Sequence, residues 1–209
     1  IIDAPIGAAR YNNEFGRPNI FGFFRTFEQK IDKHSPLVKL GYHKPIMIAG
    51  GIGSINSKHA AKNILHNGDL IVILGGPSFR IGIGGGAASS MQSGSSSEVL
   101  DFASVQRDNA EIQRRCQEVI NACTYQKDNP IVSIHDIGAG GLCNAVPEIV
   151  NDFGMGANIS LDNVTNADEN MSSLEIWCNE SQERYVIIIR EEDLAELQNI
   201  CTRENCPMY

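Results

Sequence analysis

No stretch of this 209-residue sequence reaches the roughly 18 apolar residues that a membrane-crossing helix needs, so no membrane span is expected. A positive surplus is also missing. With 17 Lys and Arg against 25 Asp and Glu the net charge is −8, which argues against a duplex nucleic-acid binder and its basic face. A phosphorylated small substrate stays open, because a few local Arg or backbone N–H groups can hold one. The six cysteines (Cys116, Cys123, Cys143, Cys178, Cys201 and Cys206) contain no Cys-x-x-Cys pair. A chain of this length with 42% hydrophobic residues has no need of disulfide staples. The thiols are therefore expected to be free and buried, in a reducing and hence cytoplasmic setting. Neither nucleotide-binding glycine signature is present: no G-x-x-x-x-G-K-[ST] and no G-x-G-x-x-G. Ile1 to Pro5 has no initiator Met, basic segment or apolar core of a leader. Together with the end at Met208-Tyr209, this gives the expectation of a fragment of a longer protein.

What is present suits one globular domain, or one domain plus a piece of a neighbour. A chain of this size removes roughly 70% of its unfolded surface from water. The first forty residues differ from the rest. Asn12 to Asn19 is polar and turn-rich, Ile20 to Phe27 carries Phe21, Phe23, Phe24 and Phe27 as a strand or a packed loop, and Lys30 to Leu40 reads as a polar linker. A domain boundary is placed near Gly41. Beyond it, strands and helices alternate. Pro45 to Gly51, Leu70 to Gly76, Ile131 to Ile134 and Tyr185 to Ile189 are short apolar runs of strand type. Asp108-Asn109-Ala110-Glu111 has the form of a capping box with Asp108 as the cap. It opens a helix whose face carries Ile112, Cys116, Val119, Ile120 and Cys123 at spacings of three and four. Leu142 to Val150 and Glu192 to Arg203 read as further helices. The fold class is α/β to α+β, a layered sheet-and-helix domain.

Three segments could carry chemistry. Gly75 to Ser90 is dense in glycine, which suits a phosphate loop or a tight packing turn equally. His135-Asp136-Ile137-Gly138-Ala139-Gly140-Gly141 places an acid at a strand end before a glycine loop and a helix. Such an acid can bind Mg²⁺ beside nucleotide phosphates, or merely cap the following turn or helix. His135 could move protons, although a satisfied structural histidine is the better reading. Glu180-Ser181-Gln182-Glu183-Arg184 packs two acids, a hydroxyl, an amide and a guanidinium into five residues, as either a binding cluster or a solvated strand edge. Gln106-Arg107 is a similar cluster.

Asn12 to Asn19, Gly22 to Thr26, Gly41 to Met47, Ala49 to Gly53, Gly82 to Ser90, Asp101 to Asn109, His135-Asp136 and Trp177 to Arg184 resemble, in order, blocks of the large single-chain phosphoribosylformylglycinamidine synthases. The resemblance spans nearly the whole chain. It implies a PurM-like superfamily member, with residues 1–40 ending a PurM N-terminal-like domain and 41–209 forming a PurM C-terminal-like one. It implies a place in purine biosynthesis, where formylglycinamide ribonucleotide, glutamine and ATP give the amidine, glutamate, ADP and phosphate. Carried over by motif, Asp136 is a Mg²⁺ ligand, and Gln106, Glu180, Ser181 and Gln182 contact the ribonucleotide. Thr26, Phe27 and Glu28 border a bound adenine nucleotide. Phe27 stands where the family commonly has Tyr, and Ser78-Phe79-Arg80 is bulkier than the family's glycine stretch. The family's upstream metal-binding segment, its second pseudo-symmetric half and its glutaminase domain are not in this sequence. The expected partners are therefore the substrates and the remaining domains, including the glutaminase. A non-catalytic nucleotide-binding or packing scaffold, or another ATP-dependent member of the superfamily, are the alternatives.

Overall fold

Three of the apolar runs pair into one antiparallel sheet in the computed structural model, which describes residues 3–20, 25–31, 39–41, 48, 50–83 and 109–209. The chain divides into two compact units, Ile1–Ser54 and Ile55–Tyr209.

In the first unit, helix α1 (Asp3–Glu14) is Ala-rich and closes on Gly16 at φ +62°. There the Gly16 and Arg17 N–H groups return to the Asn13 and Asn12 carbonyls at 3.1 and 3.0 Å. Asn12 to Glu14 is thus the last turn of a helix, which the polar composition of that stretch had concealed. Phe15 is buried, with the Tyr11 ring 5.2 Å away and the Arg17 guanidinium 4.5 Å above it. Strands β1 (Glu28–Lys30) and β2 (Lys39–Gly41) pair antiparallel, with Lys30 opposite Lys39. The two ends of the expected linker are therefore hydrogen-bonded to each other. Phe21 to Phe24 and most of the expected strand at 45–51 lie outside the described residues.

The second unit is built around β5 (Arg184–Ile189). It is flanked by β3 (Leu70–Gly75) and β4 (Ile131–Asp136) in the order β3-β5-β4, both pairings antiparallel. A central strand covered on both faces needs apolar residues at every position, as Val186-Ile187-Ile188-Ile189 supplies. Val186 and Ile188 face one core with Ile73, Val132 and the helix α3 (Leu142–Asn151) residues Leu142, Ala145 and Ile149. Ile187 and Ile189 face the other with Val72, Leu74, Cys116 and Val119 of α2 (Ala110–Thr124). A later helix, α5 (Leu194–Arg203), adds Leu197 and Ile200 to that second core. The result is a helix–sheet–helix sandwich. The free cysteines Cys116, Cys123, Cys201 and Cys206 are buried within it.

Helix α2 starts one residue later than the capping pattern implied. Asn109, not Asp108, is the cap, its side-chain oxygen accepting from the Ile112 N–H at 3.1 Å. Glu111 turns outward to pair with Arg115 one turn on, so no reciprocal box forms. Asp108 itself is outside the described residues.

The start of β3 and the end of β5 are clamped together. Asp69 accepts from the His66 N–H at 2.7 Å and pairs with Arg190, whose other nitrogen donates to the Ile64 carbonyl at 3.0 Å. Burial pushes the Asp69 carboxyl up. The His66 N–H and the Arg190 guanidinium outweigh it, leaving the carboxyl below its ordinary value. A lowered folded-state value means stability present above the unfolded value of about 3.9 and lost as pH falls through the folded one. Asp69→Asn is therefore expected to lower the urea midpoint at pH 7, with the gap to the parent closing below about pH 4. A gap independent of pH would show that the clamp is not ionic.

Candidate functional site

The strand register brings the candidate segments to one end of the sheet. Gly75, the last residue of β3, lies opposite Arg184, the first of β5, and Asp136, the last of β4, lies opposite Tyr185. The exits of β3 and β4 and the turn leading into β5 therefore meet.

The turn into β5 is prepared by a helix that sequence reading missed. α4 (Ser173–Cys178) is only six residues long, too short to show a helical period, and it contains Trp177 and Cys178. Its signal was a capping box. The Glu175 N–H donates to Ser172 Oγ at 3.3 Å, and the Ser172 N–H donates to Glu175 Oε2 at 2.7 Å. That second bond, above all, holds the Glu175 carboxyl below its ordinary value. Asn179 closes the helix, donating from Nδ2 to the Glu175 and Ile176 carbonyls, both at 2.8 Å.

Arg184 is the hub of the turn. It is 1% exposed and donates to the Ser181 carbonyl at 3.1 Å, Ser78 Oγ at 2.9 Å and Asn179 Oδ1 at 3.0 Å. These acceptors are neutral, and among the described residues no carboxylate lies within ion-pair distance of it. Ser181 Oγ donates to Asn179 Oδ1 at 2.7 Å and accepts from the Phe79 N–H at 2.8 Å. Ser78 and Phe79, the bulky departures in the glycine stretch, are thus held by the Glu180–Arg184 cluster. Arg80 reaches Asp168 and Glu175 at 3.1 and 3.2 Å.

Glu180 ties in the third segment. It is 4% exposed, its N–H donates to the Ile81 carbonyl at 2.7 Å, and its Oε1 accepts from the Gly140 N–H at 3.1 Å. Two glycines owe their identity to this packing. A Cβ on Gly75 (φ +120°) would stand 2.2 Å from the Glu183 carbonyl oxygen, and one on Gly141 (φ +65°) 1.9 Å from that of Asn179. At Gly75 the glycine serves close packing. Residues 84–90 of that stretch lie outside the described set.

Asp136 differs from its neighbours in being open, with its side chain 79% exposed. It does not cap α3. Gly141 holds that position and no side chain caps the helix, so the helix-capping alternative falls away. His135 is satisfied: Nδ1 lies 2.6 Å from the Asp136 carbonyl oxygen and Nε2 2.9 Å from Glu148 Oε2, which pins the strand end to α3. Among the described residues no group of three or more His, Cys, Asp or Glu could hold a metal by itself. One open carboxylate beside a glycine loop and an uncapped helix start does fit Mg²⁺ carried on phosphates, which takes one or two protein carboxylates.

Asp136, Glu180, Ser181 and Gln182 are therefore together. Gln182 is half-buried and its Nε2 donates to the Glu180 carbonyl at 3.1 Å. Gln106 lies outside the described residues. Thr26, Phe27 and Glu28 belong to the first unit, where Phe27 is exposed and Glu28 pairs with Lys39 at 2.9 Å.

A layered sheet-and-helix domain is the class that the comparisons also give. Residues 66–209 match the AIR synthase related protein, C-terminal domain, and the chain belongs to that family. The expected fold class, a PurM C-terminal-like layered sheet-and-helix domain, is the one found. Among solved structures the chain is similar to T. maritima PurL complexed with FGAR, at 23% identity and a TM-score of 0.64, covering 97% of this chain and 31% of that one. It is also similar to T. maritima PurL complexed with ATP, at 23% identity and a TM-score of 0.53, covering 74% and 23%. A third is phosphoribosylformylglycinamidine synthase II from Thermotoga maritima, at 24% identity and a TM-score of 0.51, covering 71% and 22%. At these identities the likeness carries the fold. The chain spans less than a third of each of those proteins.

Proposed function

We propose that this chain is part of the synthetase region of a phosphoribosylformylglycinamidine synthase, a carbon–nitrogen ligase of purine biosynthesis. The observation that carries the reading is the gathering of Asp136, the Gly138–Gly141 loop and the Asn179–Arg184 turn at one end of the sheet. Family membership and the fold shared with PurL proteins complexed with FGAR and ATP support it. In the proposed reaction the amide oxygen of formylglycinamide ribonucleotide takes a phosphoryl group from ATP. Ammonia, released from glutamine, then displaces phosphate to leave the amidine.

In this reading Asp136 would hold Mg²⁺, whose charge would offset that of the transferring phosphoryl group. The uncapped start of α3 offers N–H groups to phosphate oxygens. Glu180, Ser181 and Gln182 form a wall of the ribonucleotide site together with Gln106. Within that wall Glu180 and Ser181 fix the shape by holding Gly140 and Phe79, and Gln182 presents its amide. Thr26, Phe27 and Glu28 border the nucleotide, with residues 1–40 as the end of a preceding domain and 41–209 as the C-terminal-like one. The partners are the remaining domains of the same cytoplasmic enzyme, its glutaminase included. With only one wall of the site, the chain alone is expected to show no synthetase or glutaminase turnover. Neither nucleic acid nor membrane has a part in this reading.

Asp136→Asn in the complete enzyme is the test. Amidine formation should fall by about 100-fold or more, with a raised Mg²⁺ requirement and an unchanged melting temperature, since the side chain is exposed. Unchanged activity and Mg²⁺ dependence would favour a scaffold domain.

A further inference from the structure

At the opposite face of the sheet from α3, three thiols stand together. Cys116 of α2, Cys201 of α5 and Cys206 after α5 are all buried, and the Cys206 and Cys116 sulfurs are 3.7 Å apart. Their arrangement is not that of a metal site, since no group of three metal-ligating side chains among the described residues could hold an ion. Two sulfurs at that separation are in van der Waals contact, and a disulfide would draw them to about 2.05 Å.

The surroundings distinguish Cys206. Unlike Cys116, it borders an open depression of about 630 Å³, also lined by Gln198, Cys201, Thr202 and Met208. The Arg115 guanidinium donates to the neighbouring Asn205 carbonyl at 3.2 Å and places a cation beside it. The Cys116 and Cys201 thiols, then the Gly75 N–H and the Arg115 charge, draw the Cys206 thiol down against its burial. The Cys116 thiol is pushed up, first by Cys206 and then by burial. A sulfur at the edge of the depression thus touches a fully buried one behind it, the placement of an attacking and a resolving cysteine.

We propose that Cys206 and Cys116 form a reversible dithiol–disulfide couple that reacts with hydroperoxides. The Cys206 thiolate attacks a peroxide oxygen, the O–O bond breaks, and the departing hydroxide takes up the proton that Cys206 released, giving water and a sulfenic acid. The Cys116 sulfur then attacks the Cys206 sulfur. The S–O bond breaks, and hydroxide leaves with the Cys116 proton as a second water. Two thiols are oxidised by two electrons and one hydrogen peroxide is reduced to two waters. The bond would join α2 to the segment Cys206–Tyr209. That segment edges β3 through Ile73 and Tyr209 at 2.7 and 3.0 Å, and places the Tyr209 hydroxyl 3.4 Å from Arg184.

The test is to titrate the complete protein with hydrogen peroxide without denaturant, alkylate the remaining thiols and map the peptides by mass. A Cys116–Cys206 linked pair is expected, lighter by roughly 2 Da than the two thiols, reversed by dithiothreitol, with Cys123 still reduced. The linked form should also melt higher than the reduced form, because the bond spans 90 residues of chain. In Cys116→Ala, Cys206 should instead stop at the sulfenic acid and be captured by dimedone; should that variant not fold, the parent mapping decides alone. A Cys201–Cys206 link, irreversible oxidation of Cys206 without a link, or oxidation of the partly exposed Cys143 and Cys178 while Cys116 and Cys206 stay reduced would each overturn the proposal.

Discussion

Gly141→Ala is expected to destabilise the fold by about 3–4 kcal/mol, among the largest effects of any single methyl group in this chain. Two costs combine. The backbone at φ +65° and ψ −143° lies in a region open essentially to glycine alone. The new Cβ would also stand 1.9 Å from the Asn179 carbonyl oxygen, a main-chain atom that can yield only by moving the turn. That turn carries Asn179 Oδ1, which accepts from Arg184 and Ser181, so the displacement spreads through the site. Gly154 provides the control. It has the same φ of +65° with nothing within 4 Å of its would-be Cβ, so Gly154→Ala should cost only about 1–2 kcal/mol. Urea midpoints for the two variants, at equal m-values, separate the costs. Equal losses would mean that the close approach of the two loops is wrong.

Arg184→Met is expected to cost about 3 kcal/mol, the balance of two opposing effects. Removing the guanidinium leaves the Ser78 hydroxyl and the Ser181 carbonyl buried without their donor, at about 1–3 kcal/mol each. Against this, a cation surrounded by neutral acceptors is no longer held out of water, which returns part of the loss. The acceptors lie on separate segments, so one lysine ammonium cannot replace the planar fork, and Arg184→Lys should recover less than half. Amide hydrogen exchange gives a local reading. The Phe79 and Glu180 N–H groups, which donate to Ser181 Oγ and the Ile81 carbonyl, should lose protection ahead of the sheet core. A Met variant as stable as the parent would show that Arg184 is a passenger.

Much of the second unit was legible because its signals are local. Tyr185 to Ile189 could be read as a strand from its run of apolar residues, and the structure adds that it is covered on both faces. The spacing of Cys116, Val119 and Cys123 announced a buried helix face. Helix α4 escaped because six residues carry less than two turns of periodicity, although Ser172 and Glu175 already spelled a capping box. The role of Arg184 was hidden for a different reason. Its partner Ser78 is 106 positions away, and nothing in a one-dimensional pattern marks a guanidinium as buried. The same holds for Glu180 and Ser181. Their composition suggested polar contacts, but only the register of β3, β4 and β5 shows that those contacts run to the glycine loops. Asp136 was legible as a strand-end acid, and the structure adds that its carboxylate is open and the helix behind it uncapped.

The central claim is that this sheet end is one wall of a phosphoribosylformylglycinamidine synthase site. Its most direct test is to supply the complete enzyme with formylglycinamide ribonucleotide, ATP, Mg²⁺ and glutamine, and to quantify the amidine alongside ADP. Amidine and ADP should form in equal amounts, with both lost together in Asp136→Asn. ADP release without amidine, or amidine formation untouched by Asp136→Asn, would contradict it.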